Sequence, residues 1–359
     1  MIDSPSRESI TAALSKINDP DLNRDIVSLG MIKDLSIDGG TVRFTFELTT
    51  PACPVRNQFE QMAREAVAAV PGVTGVEVKM TANVRGGLNS ASGALEGVRN
   101  VIAIGSGKGG VGKSTVSVNL AAALVSTGAR VGLMDADIYG PTVPGMLAVT
   151  DRPLTDPSGQ RIIPVQAWGM KVISMGLLMG DNRQAVVWRG PMVGKAVTQM
   201  LTDVDWGELD YLLIDLPPGT GDASLSIAQA IPLSGVAVVC TPQRVAVEIA
   251  VKAAAMFRSL RVPVLGLIEN MSYYECSNCG HQHHPFAQGG AEAAAAELKV
   301  QFLGMLPLAE EIREGADIGR PASTVEGSAM ATAFRELATK LAAQVSIQAF
   351  RSLPVINVS

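Results

Sequence analysis

No apolar run in this chain reaches the roughly eighteen residues that a membrane-spanning helix requires. A transmembrane anchor is therefore not expected, although 47% of the residues are hydrophobic. Basic excess is missing as well. Lys and Arg total 29 against 34 Asp and Glu, a formal charge of −5, so the electrostatic footprint of a nucleic-acid-binding surface is not there. Cysteine is sparse: Cys53, Cys240, Cys276 and Cys279 do not make a disulfide framework in 359 residues and read as chemistry or core filling. The first residues carry acids early, and Ser9–Ile17 is amphipathic rather than continuously apolar, so no secretory leader is legible. Together these absences predict a cytoplasmic protein with no nucleic-acid partner and no stable membrane association.

What is present gathers around Gly105-Ser-Gly-Lys-Gly-Gly-Val-Gly-Lys-Ser-Thr115. The apolar run Val101–Ile104 leads into this stretch, and a helical pattern of Ser114, Val118, Ala121 and Leu124, stopped by Gly128, leaves it. Strand, glycine-rich loop and helix N-terminus form a phosphate cradle. The glycines let backbone N–H groups turn inward, and the helix adds the positive end of its dipole. Gly107, four residues, then Gly112-Lys113-Ser114 has P-loop spacing, with Lys113 reaching the β- and γ-phosphates and the Ser114 hydroxyl on Mg²⁺. ATP and Mg²⁺ are thus expected within Gly107, Lys108, Gly109, Gly110, Val111, Gly112, Lys113, Ser114 and Thr115. Further on, the apolar strand Tyr211–Ile214 ends in Asp215, the Walker B arrangement, which would hold the Mg²⁺ shell. Asp135-Ala-Asp137 closes another apolar run, Val131–Met134. An acid there can orient the attacking water, the role expected of Asp137, whereas Asp135 fits equally well as a capping residue.

The chain exceeds one typical domain. Residues 1–84 read as a small α+β module: a short helix near Ser6–Asn18, strands Ile32–Ile37 and Thr41–Leu48 about the turn Asp38-Gly-Gly40, a helix, and a closing strand Thr74–Met80. Its second helix repeats Val55, Phe59, Met62, Ala63, Ala66, Val67 and Val70. Pro54 suits the first helical position, which puts Cys53 at the N-cap. Two readings of Cys53 stand side by side. Its thiol is acidified by the helix dipole for reactivity or metal binding, or it is a small residue in a tight turn. Residues 85–97, rich in Gly, Ser, Asn and Ala, read as a flexible linker. From 98 to 350, unbroken apolar strands alternate with helical stretches such as Val245–Leu260 and Ala291–Leu298. The strands are Val101–Ile104, Val131–Met134, Val172–Met175, Tyr211–Ile214, Val236–Val239, Val264–Ile268 and Phe302–Leu306. That alternation predicts an α/β fold with a doubly wound, mostly parallel sheet and ligands at the carboxyl ends of its strands.

Cys276-Ser-Asn-Cys279-Gly-His281-Gln-His283-His284 holds all three histidines of the chain. Two thiolates at this spacing form a bidentate clamp of the kind used for zinc and for iron-sulfur clusters. Zinc held within one chain by both cysteines and two histidines is one reading, but His281 follows Cys279 too closely to make two separated clamps. Counting favours another. A [4Fe-4S] cluster takes four thiolates, one chain supplies two here, and a two-fold homodimer would bring four together. Cys240, ending Val236–Val239, reads as a buried apolar residue.

The second lysine of the glycine-rich loop, Lys108, makes it similar to the deviant Walker A motif of the MinD/ParA/nitrogenase-iron-protein ATPases. That resemblance implies that Lys108 acts on the partner subunit's nucleotide, that Asp137 is a switch I aspartate, that Pro217-Pro-Gly-Thr-Gly221 is switch II, and that Asn270 contacts adenine. With Trp188-Arg-Gly-Pro-Met192, Thr241-Pro-Gln243, Glu269-Asn-Met271 and Cys-x-x-Cys-Gly-His, nearly the whole chain resembles the Mrp/ApbC iron-sulfur carrier ATPases. The first module, through Asp19-Pro-Asp-Leu22 and Thr49-x-x-x-Cys53-Pro54, is similar to the SufT/PaaD type. The resemblance implies a dimeric P-loop ATPase that holds a labile [4Fe-4S] cluster on paired Cys276 and Cys279. Apo iron-sulfur proteins and assembly scaffolds would be its partners. One departure is visible: Arg244 stands where an aspartate is usual after Thr241-Pro-Gln243. Two rivals follow from the same residues. One is an ATPase with structural zinc at the Cys-x-x-Cys. The other is a MinD-like positioning switch, which would need a membrane-seeking helix in residues 327–350, where Arg335 and Lys340 supply little positive charge.

Overall fold

The computed structural model describes residues 5–86, 95–179 and 190–351. The chain divides into two compact units, Met1–Arg85 and Gly86–Ser359.

In the first unit Ser6 caps the helix Arg7–Leu14, its hydroxyl accepting from the Ser9 N–H at 3.1 Å. Strand Ile32–Asp38 pairs antiparallel with Thr41–Leu48 around Gly39 and Gly40, and Gly75–Ala82 then joins Thr41–Leu48 in parallel. A parallel neighbour needs a crossover, and the helix Arg56–Ala68 supplies it. Phe46 and Phe59, with ring centroids 5.4 Å apart, anchor the core between that helix and the sheet, with Ile10, Leu14 and Val67 buried around them. The helix starts later than its periodicity suggests. Val55, not Cys53, takes the N-cap position, and no side chain caps it. Pro51 and Pro54 bracket a turn instead, organised by Thr50, whose hydroxyl accepts from the Ala52 N–H at 3.1 Å.

In the second unit eight described strands form one sheet, in the order Val165–Ala167, Met170–Ser174, Val131–Asp135, Leu209–Asp215, Val98–Ser106, Gly235–Cys240, Val264–Glu269, Phe302–Met305. All neighbours are parallel except the first pair. The antiparallel edge strand Val165–Ala167 has no counterpart in the sequence reading, and Met175 opens a short helix rather than closing its strand.

Alternation along the central strand shows why both faces are covered. Val101 and Ala103 join a core with Val197, Met200, Ile227, Ala253, Phe257 and Ala294, from helices Gly190–Thr202, Asp222–Ala230, Arg244–Ser259 and Gly290–Leu298. Ile102 and Ile104 are equally buried but stand outside that core, on the face of helix Lys113–Ser126. The final helix, Ala329–Arg351, packs on Lys113–Ser126 and buries Phe334, Leu337, Leu341 and Val345. Met330, Ile347 and Phe350 on the same helix stay partly exposed. Among the described residues no helix is long and apolar enough to cross a membrane.

Phe257 is 2% exposed, and a Cβ added at Gly105 would lie 3.2 Å from its ring. The ring therefore supports the strand that delivers the glycine-rich loop. Phe257→Ala is expected to remove about 3–5 kcal/mol of stability. The check is a urea titration, in which the midpoint should fall while the slope is kept. An unchanged midpoint would contradict this packing.

Candidate functional site

The glycine-rich loop follows the central strand and closes into the helix beginning at Lys113. Two glycines are fixed by space. A Cβ at Gly107 would stand 2.6 Å from the Ile249 carbonyl oxygen, and one at Gly112, where φ is +80°, would stand 2.2 Å from Asn270 Nδ2. Lys113 is 6% exposed, and its ammonium lies 2.7 Å from Asp215 Oδ2. The Ser114 hydroxyl donates to the same oxygen at 2.6 Å and accepts from Lys113 Nζ at 3.1 Å. Ser117, absent from the sequence expectations, donates to Asp215 Oδ1 at 2.5 Å. One helical turn thus presents an ammonium and two hydroxyls to a fully buried carboxylate. The signal for Ser117 was its spacing: three residues beyond Ser114, it lies on the same helical face in an otherwise apolar run.

Asp135 ends the strand beside Asp215. It accepts from the Asp137 N–H at 3.1 Å, the Val143 N–H at 3.3 Å and the Ser174 hydroxyl at 3.1 Å, so it shapes the following loop. Burial and the neighbouring Asp215 charge push its carboxyl up to about 7, against the opposing pull of Lys113. Asp137, half-buried, is also raised, chiefly by burial, with Lys113 again pulling the other way. Its Oδ1 accepts from the Gly140 N–H at 3.3 Å. The loop after Asp215 is tied to the central strand by the Gly219 N–H, which donates to the Ser106 carbonyl at 3.0 Å. The Ser106 hydroxyl in turn donates to the Lys108 carbonyl at 3.0 Å. Lys108 is half-buried, and among the described residues its ammonium has no ion-pair partner. Asn270 comes to the loop itself, donating through Nδ2 to the Val111 carbonyl at 2.9 Å. Arg244 opens its helix at the surface, paired with Glu248 at 2.8 Å. Trp188 and Arg189 of the Trp188–Met192 motif lie outside the described residues.

Cys276 and Cys279 sit on a hairpin of Tyr274–Glu275 and Gln282–His283. The Cys276 N–H donates to the His281 carbonyl at 3.0 Å, and the Gly280 N–H donates to the Cys276 carbonyl at 2.8 Å. Backbone N–H groups of Asn278 and Cys279, with the Cys279 thiol, hold the Cys276 thiol below the ordinary range. His281 and His283 stack edge to face at 4.6 Å, while His284 Nδ1 lies 3.1 Å from the Ser272 carbonyl. Among the described residues no three His, Cys, Asp or Glu side chains come together in metal-binding geometry. Cys240 is buried, and burial with the Glu269 charge pushes its thiol up to about 12.

At Cys53 the surroundings favour the turn-residue reading over the acidified thiol. Its thiol is raised, not lowered, to about 11, first by burial and then by the charges of Asp19 and Asp21. The N–H of the N-cap residue Val55 pulls the other way but is outweighed by burial, and the Asp19-Pro-Asp21 turn, in which Asp19 Oδ1 accepts from the Asp21 and Leu22 N–H groups at 2.9 Å, brings negative charge near. At pH 8 Cys53 should therefore remain a thiol and react with iodoacetamide far more slowly than Cys276, accelerating only as pH nears about 11. Peptide mass mapping of a labelling time course reads this directly. Equal rates at pH 8 would contradict it.

Comparison with known proteins meets this geometry at both units. Residues 97–342 match the ParA family, described as NUBPL iron-transfer P-loop NTPase, and residues 7–79 match the family described as iron-sulfur cluster assembly protein. The chain is 45% identical over 348 residues to the iron-sulfur cluster carrier protein of Deinococcus radiodurans, covering 97% of this chain and 98% of that one. It is 40% identical over 345 residues to that of Escherichia coli K12, covering 94% and 92%. Among solved structures, a nucleotide-binding protein of Archaeoglobus fulgidus in complex with ADP is similar at TM-score 0.57 and 36% identity, over 64% of this chain and 90% of that one. With the P-loop, the Walker B acid and the Cys-x-x-Cys hairpin all in one unit, the chain belongs to the NUBPL iron-transfer P-loop NTPase family of iron-sulfur cluster carriers.

Proposed function

We propose that this protein hydrolyses ATP at the Lys113–Asp215 site and that two copies jointly hold a [4Fe-4S] cluster on Cys276 and Cys279. The cluster is cargo, passed to apo iron-sulfur proteins after loading from assembly scaffolds, in the cytoplasm. The observation that carries the reading is placement. The strand whose end touches the glycine-rich loop through Asn270 is the one that runs on into the Cys276 hairpin. A Mg²⁺ ion fits the donor set, since the Ser114 hydroxyl and an Asp215 carboxylate oxygen converge at 2.6 Å beside Lys113. Bound there, it would supply charge neutralisation at the nucleotide phosphates.

This chain's own residues do the rest. The Lys113 ammonium, held at the loop by Asp215, is placed to take the β- and γ-phosphate charge as it develops. Backbone N–H groups from Gly107 to Thr115 line the phosphates, and Asp137 orients the attacking water. Lys108, whose ammonium is unpaired among the described residues, reaches the nucleotide of the second copy. The two thiols of one hairpin, Cys276 and Cys279, leave a four-thiolate cargo half ligated, which is why the reading needs a homodimer.

Lys113→Ala should lower ATP turnover by about 10²-fold or more, while Lys108→Ala should reduce turnover with nucleotide affinity kept. Steady-state hydrolysis together with equilibrium ADP binding separates the two. Full turnover in Lys113→Ala would sink the P-loop assignment.

Anaerobic reconstitution tests the cargo. Iron and sulfide should each approach roughly four per dimer, the content of one cubane, and Cys276→Ala should lose both together with the dimer fraction. Stoichiometric zinc in a monomer without sulfide would overturn this function in favour of a structural metal.

A further inference from the structure

The strand Val264–Glu269 ends in a buried acid that neither the phosphate site nor the thiol hairpin employs. Glu269 is 1% exposed, and among the described residues no Lys, Arg or His forms an ion pair with it. Its charge is met otherwise. Oε1 accepts from the Ser272 hydroxyl at 2.6 Å and the Gly289 N–H at 3.4 Å, and Oε2 accepts from the Ala291 N–H at 2.8 Å. Gly289 and Ala291 straddle the start of helix Gly290–Leu298, so the carboxylate also occupies the positive end of that helix.

These partners are not scattered. Ser272 stands before the hairpin that carries Cys276 and Cys279, and Gly289 and Ala291 stand after it. One carboxylate therefore clasps both ends of the segment bearing the thiols. His284 adds a second tie, its Nδ1 lying 3.1 Å from the Ser272 carbonyl. The residue next to Glu269 is Asn270, bonded to the Val111 carbonyl in the glycine-rich loop. Met271, between Asn270 and Ser272, is a non-glycine residue at φ +56°, a conformation that persists only where its surroundings enforce it. A buried carboxylate that loses its donors is left with an uncompensated charge, so the donors must move with it.

We infer that Glu269 is a positioning residue that couples the nucleotide loop to the thiol hairpin through Asn270 on one side and Ser272, Gly289 and Ala291 on the other. The inference deepens the proposed function and rests on it for its meaning. Its physical content is narrower: the environment of the two thiols depends on which nucleotide occupies the loop. By reciprocity, a ligand on the thiols changes nucleotide affinity by the same factor.

The test uses full-length, metal-free protein, so it does not require a cluster to load. N-ethylmaleimide labelling rates of Cys276 and Cys279 are measured by peptide mapping with Mg²⁺-ADP and with a non-hydrolysable Mg²⁺-ATP analogue. In the wild type the two nucleotides should give rates differing by at least about fivefold, the lower end of ordinary coupling. Ser272→Ala, which removes one hydroxyl, and Glu269→Gln should erase that difference while ADP affinity changes little, the loss of a hydrogen bond to a buried carboxylate showing only as a lower thermal midpoint of protein that still folds. Should Glu269→Gln fail to fold, Ser272→Ala alone decides. A wild-type-sized nucleotide effect in the variants overturns the inference, as does a wild type with no nucleotide effect. Failure of the wild type to take up iron and sulfide, with the labelling difference intact, would instead overturn the proposed function and leave the coupling standing.

Discussion

The buried contact between Lys113 and Asp215 is the constraint on which the rest of the site depends. It joins the first residue of the P-loop helix to the last residue of the neighbouring strand, and Asp215 pairs in register with Ile104. Neither charge is tolerable alone at this depth, because removing one partner leaves the other desolvated and uncompensated. Ser114 and Ser117 donate to the same carboxylate, one to each oxygen. Asp135 answers to the same depth. Burial first, and then the charge of neighbouring Asp215, raise its carboxyl to about 7.

Sheet order then decides what else can gather there. Parallel strands deliver all their carboxyl ends to one edge, so Ser106, Asp135, Asp215 and Asn270 arrive together although the chain spreads them over positions 106 to 270. The first unit lies outside this logic. Its motif residues Asp19, Asp21 and Cys53 form a local cluster whose thiol is made less acidic, and the acidified thiol lies in the second unit, at Cys276.

Much of this was legible because its causes are local. P-loop spacing, an acid ending an apolar strand and a Cys-x-x-Cys pair each carry their chemistry within a few residues. The strands of the second unit were visible because burial on both faces leaves uninterrupted apolar runs. What was missed is what depends on the third dimension. Glu269 reads as an ordinary acid beside Asn270 until the helix starting at Gly290 folds back onto it. Ser117 gains meaning only from Asp215, almost a hundred residues away. The sequence left the Cys53 thiol open between two readings because its acidity follows first from burial and then from groups distant in sequence, Asp19 and Asp21.

The thiol hairpin shows why such distant supports are needed. Its strands are two residues each, too short to hold a fixed shape on their own hydrogen bonds. Cys279 is exposed, as a group proposed to hand on a cargo would need to be. Exposure and precision conflict unless the hairpin is held from behind. Glu269 and His284 grip it from the sheet edge without covering the sulfurs. On the proposed reading, that arrangement leaves the outward face of the hairpin open to a second copy, while its inward face stays joined to the strand that touches the nucleotide loop. A cargo shared between two copies would then be gripped by elements that each answer to their own nucleotide site, so that release need not involve unfolding of either hairpin.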